Sequence, residues 1–230
     1  LAEVFKDKIN DQFEAEIENL DIIKIYKMIV EKSLEVLHAK FPEKTEENLK
    51  KRMGLLQTHV YFSIVLAFGE DLADELGLTY DDEEWPLEEI ARGGIVKYNS
   101  EGKIDLNHLT YADYFIVGYV FDTIKNLKKP SSAQIELLKR ILSEEKFQIM
   151  RMFLENMLQN VENVENLKIL QSSDKICKSL SDNLSIIFNL VGKENHLSLF
   201  NFLLQLHIKK EILKEIFDYE STKKITILMK

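Results

Sequence analysis

The scarcity of glycine and proline constrains the fold of this chain more than any other feature of its sequence. Only 8 Gly and 3 Pro occur in 230 residues. Sheet-rich folds turn often, and their turns depend on these two residue types. Apolar residues make up 45% of the chain and charged residues 30%, which is ordinary for a globular protein with a sizeable core. The composition therefore predicts a protein built mainly from long helices.

One short stretch departs from the helical pattern. Ile95-Val96-Lys97-Tyr98 and Lys103-Ile104-Asp105-Leu106 flank a four-residue loop, 99–102, that contains a glycine. Two such runs around a loop of this length predict a β-hairpin. Apolar spacing predicts helices before it over 22–41, 45–68, 70–76 and 87–92. Helices followed by a hairpin are the order of a winged helix, so the predicted fold class is all-α with one small β-hairpin.

Helical spacing resumes after the hairpin. It predicts helices over 110–126, 132–143, 144–160, 163–180, 183–191 and 195–217. Short helices with short polar connections indicate antiparallel pairs stacked into a superhelix. We therefore expect the end of a preceding helical segment over 1–19, a winged-helix-like domain over 20–128 and an α-helical superhelical domain over 129–230. Because the chain begins with Leu and has no signal-peptide pattern, we also expect it to be a piece of a longer protein.

Charge and cysteine content exclude several classes of partner. Residues 1–110 hold 13 Lys and Arg against 24 Asp and Glu, a net charge of −11, which argues against nucleic acid. The longest run without charge, Met53 to Gly69, is shorter than the roughly 20 residues that span a membrane. Cys177 is the only cysteine, which excludes an internal disulfide and favours the reducing cytoplasm. We expect Cys177 to be a buried structural thiol.

Catalytic and metal-binding motifs are missing from the sequence. A Walker A motif is absent, because Gly102-Lys103 and Gly192-Lys193 are followed by Ile104 and Glu194 instead of Ser or Thr. Neither G-x-S-x-G, H-E-x-x-H nor paired C-x-x-C occurs. The acidic run 81–84 lacks the alternating spacing and central Gly of an EF-hand loop, which favours a solvated loop, or an electrostatic contact with a basic surface elsewhere, over a Ca²⁺ site. An enzyme that uses these carboxylates is disfavoured because the sequence shows no acid–base pair, nucleophile or metal set. We therefore predict no catalytic residue, no metal ligand and no cofactor bound by this chain alone.

His108 stands apart among the five histidines. His38, His59, His196 and His207 lie in apolar helical contexts, where we expect packed or surface residues without a functional role. His108 comes where the predicted hairpin is followed by a helix, a position from which its side chain can point out of the domain. Two interpretations stay open: His108 binds a group outside the domain, or it caps the helix and bonds within the hairpin corner.

The residues around His108 resemble a motif of a known family. The stretch from Gly94 to Phe115 is similar to the end of the winged-helix domain in NACHT proteins, the signalling NTPases that include the NOD-like receptors and arthropod ankyrin-repeat relatives. That family has a pattern like F-I-H-x-T-F-x-E-Y-F. His108, Thr110, Tyr111, Tyr114 and Phe115 match it, Asp113 replaces the Glu, and Leu106 stands where an aromatic residue is commoner.

The resemblance implies a role for each matching residue. The family's histidine reaches the β-phosphate of ADP and holds a closed, inactive state, so it implies that His108 senses a nucleotide. Thr110, Tyr111, Tyr114 and Phe115 would be core residues that join the winged helix to the helical domain. ADP or ATP would be bound by an upstream nucleotide-binding domain of the same protein, in a cytoplasmic, innate-immune type of signalling. The P-loop that defines the family is absent from this sequence.

Two functions remain open at this stage. The first is a non-catalytic regulatory fragment of a NACHT-type nucleotide-dependent switch. The second is a helical protein–protein interaction scaffold with an unknown protein partner and no nucleotide role, since stacked helices form concave binding surfaces.

Overall fold

The computed structural model describes residues 22–39, 45–83, 85–100, 104–126, 129–161 and 173–206. This part of the chain is mostly helical and contains one two-stranded antiparallel sheet, which confirms the predicted class at this level. The chain divides into two compact units and passes from the first to the second between Ile116 and Val117. The helix predicted over 1–19 lies outside the described residues. Among those described, no helix is both long and apolar enough to cross a membrane.

The first unit contains short and long helices around a small hairpin. Its elements are α1 (Ile22–His38), α2 (Glu46–Phe68), α3 (Glu70–Glu75), α4 (Leu87–Ala91), β1 (Val96–Tyr98), β2 (Ile104–Leu106) and the first half of α5 (Leu109–Asn126). Gly69 separates α2 from α3 at φ 97°, a conformation that a side chain would strain. The sequence had predicted this break because Gly is the usual residue at such helix ends.

The hairpin is closed at its base by the residue that follows β2. Val96 pairs with Leu106, and Tyr98 pairs with Ile104. Beyond these pairs, the backbone N–H of Asn107 donates to the Ile95 carbonyl at 2.9 Å. The Asn107 side chain also donates to the Gly94 carbonyl at 2.6 Å. The start of α5 is therefore tied to the start of β1.

The core of the first unit is apolar and draws on every helix described there. Its members are fully or almost fully buried: Val30, Leu34, Leu37, Leu55, Ile64, Ala73, Ile90, Ile95, Leu106, Phe115 and Ile116. His59 of α2 is buried among them and its Nδ1–H donates to the Leu55 carbonyl at 2.8 Å. This is the packed role that the sequence predicts for His59.

The second unit is a set of paired helices. It contains the end of α5, then α6 (Ser132–Ser143), α7 (Gln148–Gln159), α8 (Ser173–Leu180), α9 (Leu184–Lys193) and α10 (Leu197–Gln205), with 3₁₀ turns at Glu145–Phe147 and Ser181–Asn183. α6 packs against α7, α8 and α9, and α10 packs against α7 and α9. Ser131 begins α6 with a reciprocal pair of hydrogen bonds to Gln134, as expected of a capping box.

Three predicted helices differ from the structure. The helix predicted over 22–41 ends at His38. The helix predicted over 144–160 is interrupted, because Glu144 is extended and a 3₁₀ turn precedes α7. The helix predicted over 195–217 begins only at Leu197, since Asn195 turns the chain at φ 58°. That helix ends at Gln205, and its predicted continuation from 207 lies outside the described residues, as does the predicted segment 163–172.

Candidate functional site

His108 lies in the turn between β2 and α5, and its side chain is exposed. Its backbone carbonyl accepts the N–H of Tyr111 at 3.0 Å and so starts the helix. The imidazole ring stands edge-on to the Tyr111 ring, with 6.0 Å between centroids. In the described part of the chain neither imidazole nitrogen has a hydrogen-bond partner. Both nitrogens are thus available to a group outside the unit.

The backbone that carries His108 is anchored on both sides. Asn107 is bonded to Gly94 and Ile95 at the base of the hairpin. On the other side, the Tyr26 hydroxyl of α1 donates to Thr110 Oγ1 at 2.6 Å. Hydrogen bonds from two different elements therefore fix the segment that presents the imidazole. A binding group held in this way loses less conformational entropy when it meets a ligand.

A group of aromatic rings supports the first turns of α5. The Tyr26 ring lies 5.8 Å from Tyr111, edge to face, and 6.3 Å from Tyr114, stacked. Phe115 is buried, with its ring 5.3 Å from that of His59. The structure thus gathers the four predicted packing residues, Thr110, Tyr111, Tyr114 and Phe115, around partners from α1 and α2. Their role in joining two domains stays a prediction.

Burial shifts the titration of three side chains on this part of α5. It raises the pKa of the Asp113 carboxyl to about 6. It raises the pKa of Tyr114 to about 12, with a further contribution from the charge of Glu31. It also raises the pKa of Tyr111, with Tyr26 contributing. Asp113 is therefore a carboxyl of α5 that changes charge in mildly acidic solution.

Two side chains of the acidic run 81–84 accept hydrogen bonds from residues of the same loop. Asp81 accepts the backbone N–H of Glu83 at 2.9 Å, and Asp82 accepts the Tyr80 hydroxyl at 2.6 Å. Glu84 lies outside the described residues. Over the described ranges, no three His, Cys, Asp or Glu side chains are grouped as they would be to hold a metal ion.

Cys177 is half-buried, where the sequence predicted a buried thiol. Its Sγ–H donates to the Leu206 carbonyl at 2.6 Å, which gives it a structural contact between α8 and the end of α10.

A buried polar cluster that sequence reasoning missed lies in the second unit. Arg151 is fully buried and pairs with Glu194 through two hydrogen bonds. His196 is also buried, as predicted, with Nε2 3.1 Å from Glu194 Oε2. The side chain of His38 and the whole of His207 lie outside the described part. The available signal was the four-residue spacing of Arg151 and Glu155, which puts both on one helix face.

Comparison with known proteins identifies no relative of this chain. A scan of protein-family models, a search of curated proteins and a search of solved structures each found no match for this chain.

Proposed function

We propose that this chain is the non-catalytic regulatory part of a NACHT-type nucleotide-dependent switch. In this proposal the first unit is a winged helix whose wing is β1–β2, and the second is a superhelical domain. His108 binds the β-phosphate of ADP, which an upstream nucleotide-binding domain of the same cytoplasmic protein supplies. The observation that carries the proposal is the exposed His108 imidazole on a backbone anchored from both sides.

The chemistry of this contact follows from the imidazole. A ring N–H, or the imidazolium cation, donates to a phosphate oxygen, and a hydrogen bond to a charged group contributes about 1.5–3 kcal/mol. ADP that binds only the closed arrangement shifts the equilibrium toward it. Exchange of the nucleotide removes this differential contact. The first unit and the upstream nucleotide-binding domain then separate by rigid-body rotation, as in other two-state switches.

The test uses the longer protein that the proposal requires. We expect an upstream segment with a Walker A motif, and bound ADP in the purified protein. His108→Ala should weaken ADP binding by about tenfold or more, because one charge-assisted hydrogen bond is lost. It should also raise basal signalling. Bound nucleotide is measured by chromatography after acid extraction, and affinity by calorimetry.

Leu109→Ala is the matched control, since Leu109 is adjacent and 72% exposed. It should leave ADP affinity unchanged within about twofold, as expected for an exposed side chain outside the contact. Both variants of the 230-residue chain should unfold at the wild-type temperature. Equal ADP affinity in wild type and His108→Ala, or an upstream segment without a nucleotide site, would refute the proposal.

A scaffold function is the second candidate, and one observation favours it. Leu197 and Leu204 lie seven residues apart on one face of α10 and are 55% and 36% exposed. A helix face of this kind suits contact with another protein. If the scaffold function holds, the chain alone binds a partner, Leu197→Glu abolishes that binding, and His108→Ala leaves it intact.

A further inference from the structure

Two buried charged side chains extend from the same face of α7. Arg151 is fully buried, and Glu155 is 5% exposed. They are four residues apart, so they lie one above the other along the helix. Each reaches a different side of the turn that joins α9 to α10, residues 194–196. We call this pair the α7 clamp.

Arg151 holds the α9 side of the turn. Its Nε and Nη2 donate to the two carboxylate oxygens of Glu194, at 2.8 and 2.7 Å. Its remaining N–H groups donate to the carbonyls of Ile141 and Glu144, both at 2.8 Å, and of Glu145 at 3.3 Å. All five donors of the guanidinium are used. Glu194 is the residue that ends α9, so this bidentate pair fixes the end of that helix.

Glu155 holds the α10 side of the turn. Its two carboxylate oxygens accept the backbone N–H groups of Ser198 and Leu199, at 3.0 and 2.7 Å. Gln159 donates to the same carboxylate at 2.9 Å. His196, the residue that precedes α10, forms no side-chain cap to the helix. The cap that normally comes from within a helix therefore comes from α7.

α10 depends on this external cap. A helix of nine residues is too short to be stable by itself in water. The turn before it contains Asn195 at φ 58°, a left-handed conformation that costs free energy for a residue with a side chain. The inner face of α10 buries Leu199, Phe202 and Leu203 completely. Loss of the clamp would remove the cap and leave α10 attached through this apolar face, the Phe188–Phe200 ring contact and the bond from Cys177 to the Leu206 carbonyl.

We propose that the α7 clamp makes α10 a conformational latch, which opens as one piece when the clamp charge is lost while α6 and α7 stay folded. Opening would expose the apolar inner face of α10 and the surface of α7 and α9 beneath it. The device is independent of the nucleotide role proposed for His108. It confines local unfolding of the second unit to a defined place, α10.

Hydrogen exchange of the 230-residue chain tests the latch. Glu155→Gln keeps the side-chain shape but removes the charge and one acceptor oxygen. We expect the amides of α10 to exchange at least about tenfold faster, with α6 amides unchanged within about threefold. Glu136→Gln is the matched control, because Glu136 lies on α6 and pairs with Lys139 at the surface. The Glu136 side chain is 42% exposed. This variant should leave α10 exchange unchanged.

A second variant covers the case in which Glu155→Gln does not fold. Glu155→Asp keeps the charge and shortens the reach, and should give an intermediate acceleration confined to α10. Circular dichroism establishes that each variant is folded. The latch is refuted if exchange accelerates equally in α6 and α10, or if α10 exchange is unchanged in a folded variant.

Discussion

Replacing Arg151 by alanine should destabilise the second unit strongly. The change leaves the Glu194 carboxylate, only 9% exposed, without its bidentate partner. It also removes the donors to the carbonyls of Ile141, Glu144 and Glu145. Breaking a buried ion pair by removing one partner costs about 3–5 kcal/mol. This cost exceeds that of an exposed pair several times over, because water cannot solvate the remaining charge.

Urea unfolding followed by circular dichroism measures this cost. The free energy of unfolding falls by about 2 kcal/mol for each molar of urea, so a loss of about 4 kcal/mol in that free energy lowers the unfolding midpoint by about 2 M. Lys146→Ala is the control, since its side chain is 59% exposed in its pair with Glu144, and it should cost less than about 1 kcal/mol. Trp85, the single tryptophan, is buried in the first unit, and its fluorescence reports on that unit separately.

A paired variant distinguishes the ion pair from simple loss of packing. Arg151→Met combined with Glu194→Leu removes both charges together. Replacing a buried pair by apolar side chains is often neutral or stabilising, so this variant should recover the part of the lost stability that comes from the unpaired Glu194 charge. The carbonyls of Ile141, Glu144 and Glu145 stay without their donor in both variants, so that part of the cost remains. The reasoning is refuted if Arg151→Ala costs less than about 1 kcal/mol, or if the paired variant is as unstable as the single one.

Two further predictions concern the first unit. The folded pKa of Asp113 is raised to about 6 from an ordinary 3.8, so the folded state binds the proton more tightly and wild type loses stability as pH rises between these values. Asp113→Asn should therefore be more stable than wild type at pH 7 but not at about pH 4, and a constant difference in urea midpoint would contradict this. Tyr26→Phe removes the hydrogen bond to Thr110 but keeps the ring contacts, and should cost about 1 kcal/mol. Tyr98→Phe, on a ring that is 43% exposed, is its control in thermal unfolding, with an expected change below about 0.5 kcal/mol; equal effects of the two changes would show that the Tyr26 bond contributes nothing.

Local patterns predicted most of the elements. The strands expected over 95–98 and 103–106 appear as Val96–Tyr98 and Ile104–Leu106, because a hairpin is specified by neighbouring residues. The helix expected from 132 to 143 has those bounds, since its capping residue and its apolar spacing are both local. The position of His108 was also predictable, because it depends only on where the hairpin ends and α5 begins.

The predictions of burial are wrong where a contact with a residue distant in the sequence determines which side chain is buried. Periodicity placed Tyr111, Tyr114 and Phe115 on the inner face of α5, but Ala112 and Ile116 are buried while Tyr111 and Tyr114 are half-buried. The tyrosines keep a polar group that favours the edge of the core. Arg151 carries a charge, and charged side chains are rarely buried unless they are paired, so full burial of Arg151 was not expected. Its partner Glu194 is 43 residues away, beyond the range of any helical spacing.

By itself, the sequence determined that the described part of this chain is mostly helical with one hairpin, and that a histidine lies at the corner between the hairpin and a helix. These features follow from glycine scarcity, apolar periodicity and local turn residues. Only the tertiary structure decided that His108 is exposed on an anchored segment, and that Arg151 and Glu155 hold the turn between two later helices. Burial and long-range hydrogen bonds depend on which elements meet in space, and spacing along one helix carries no information about that.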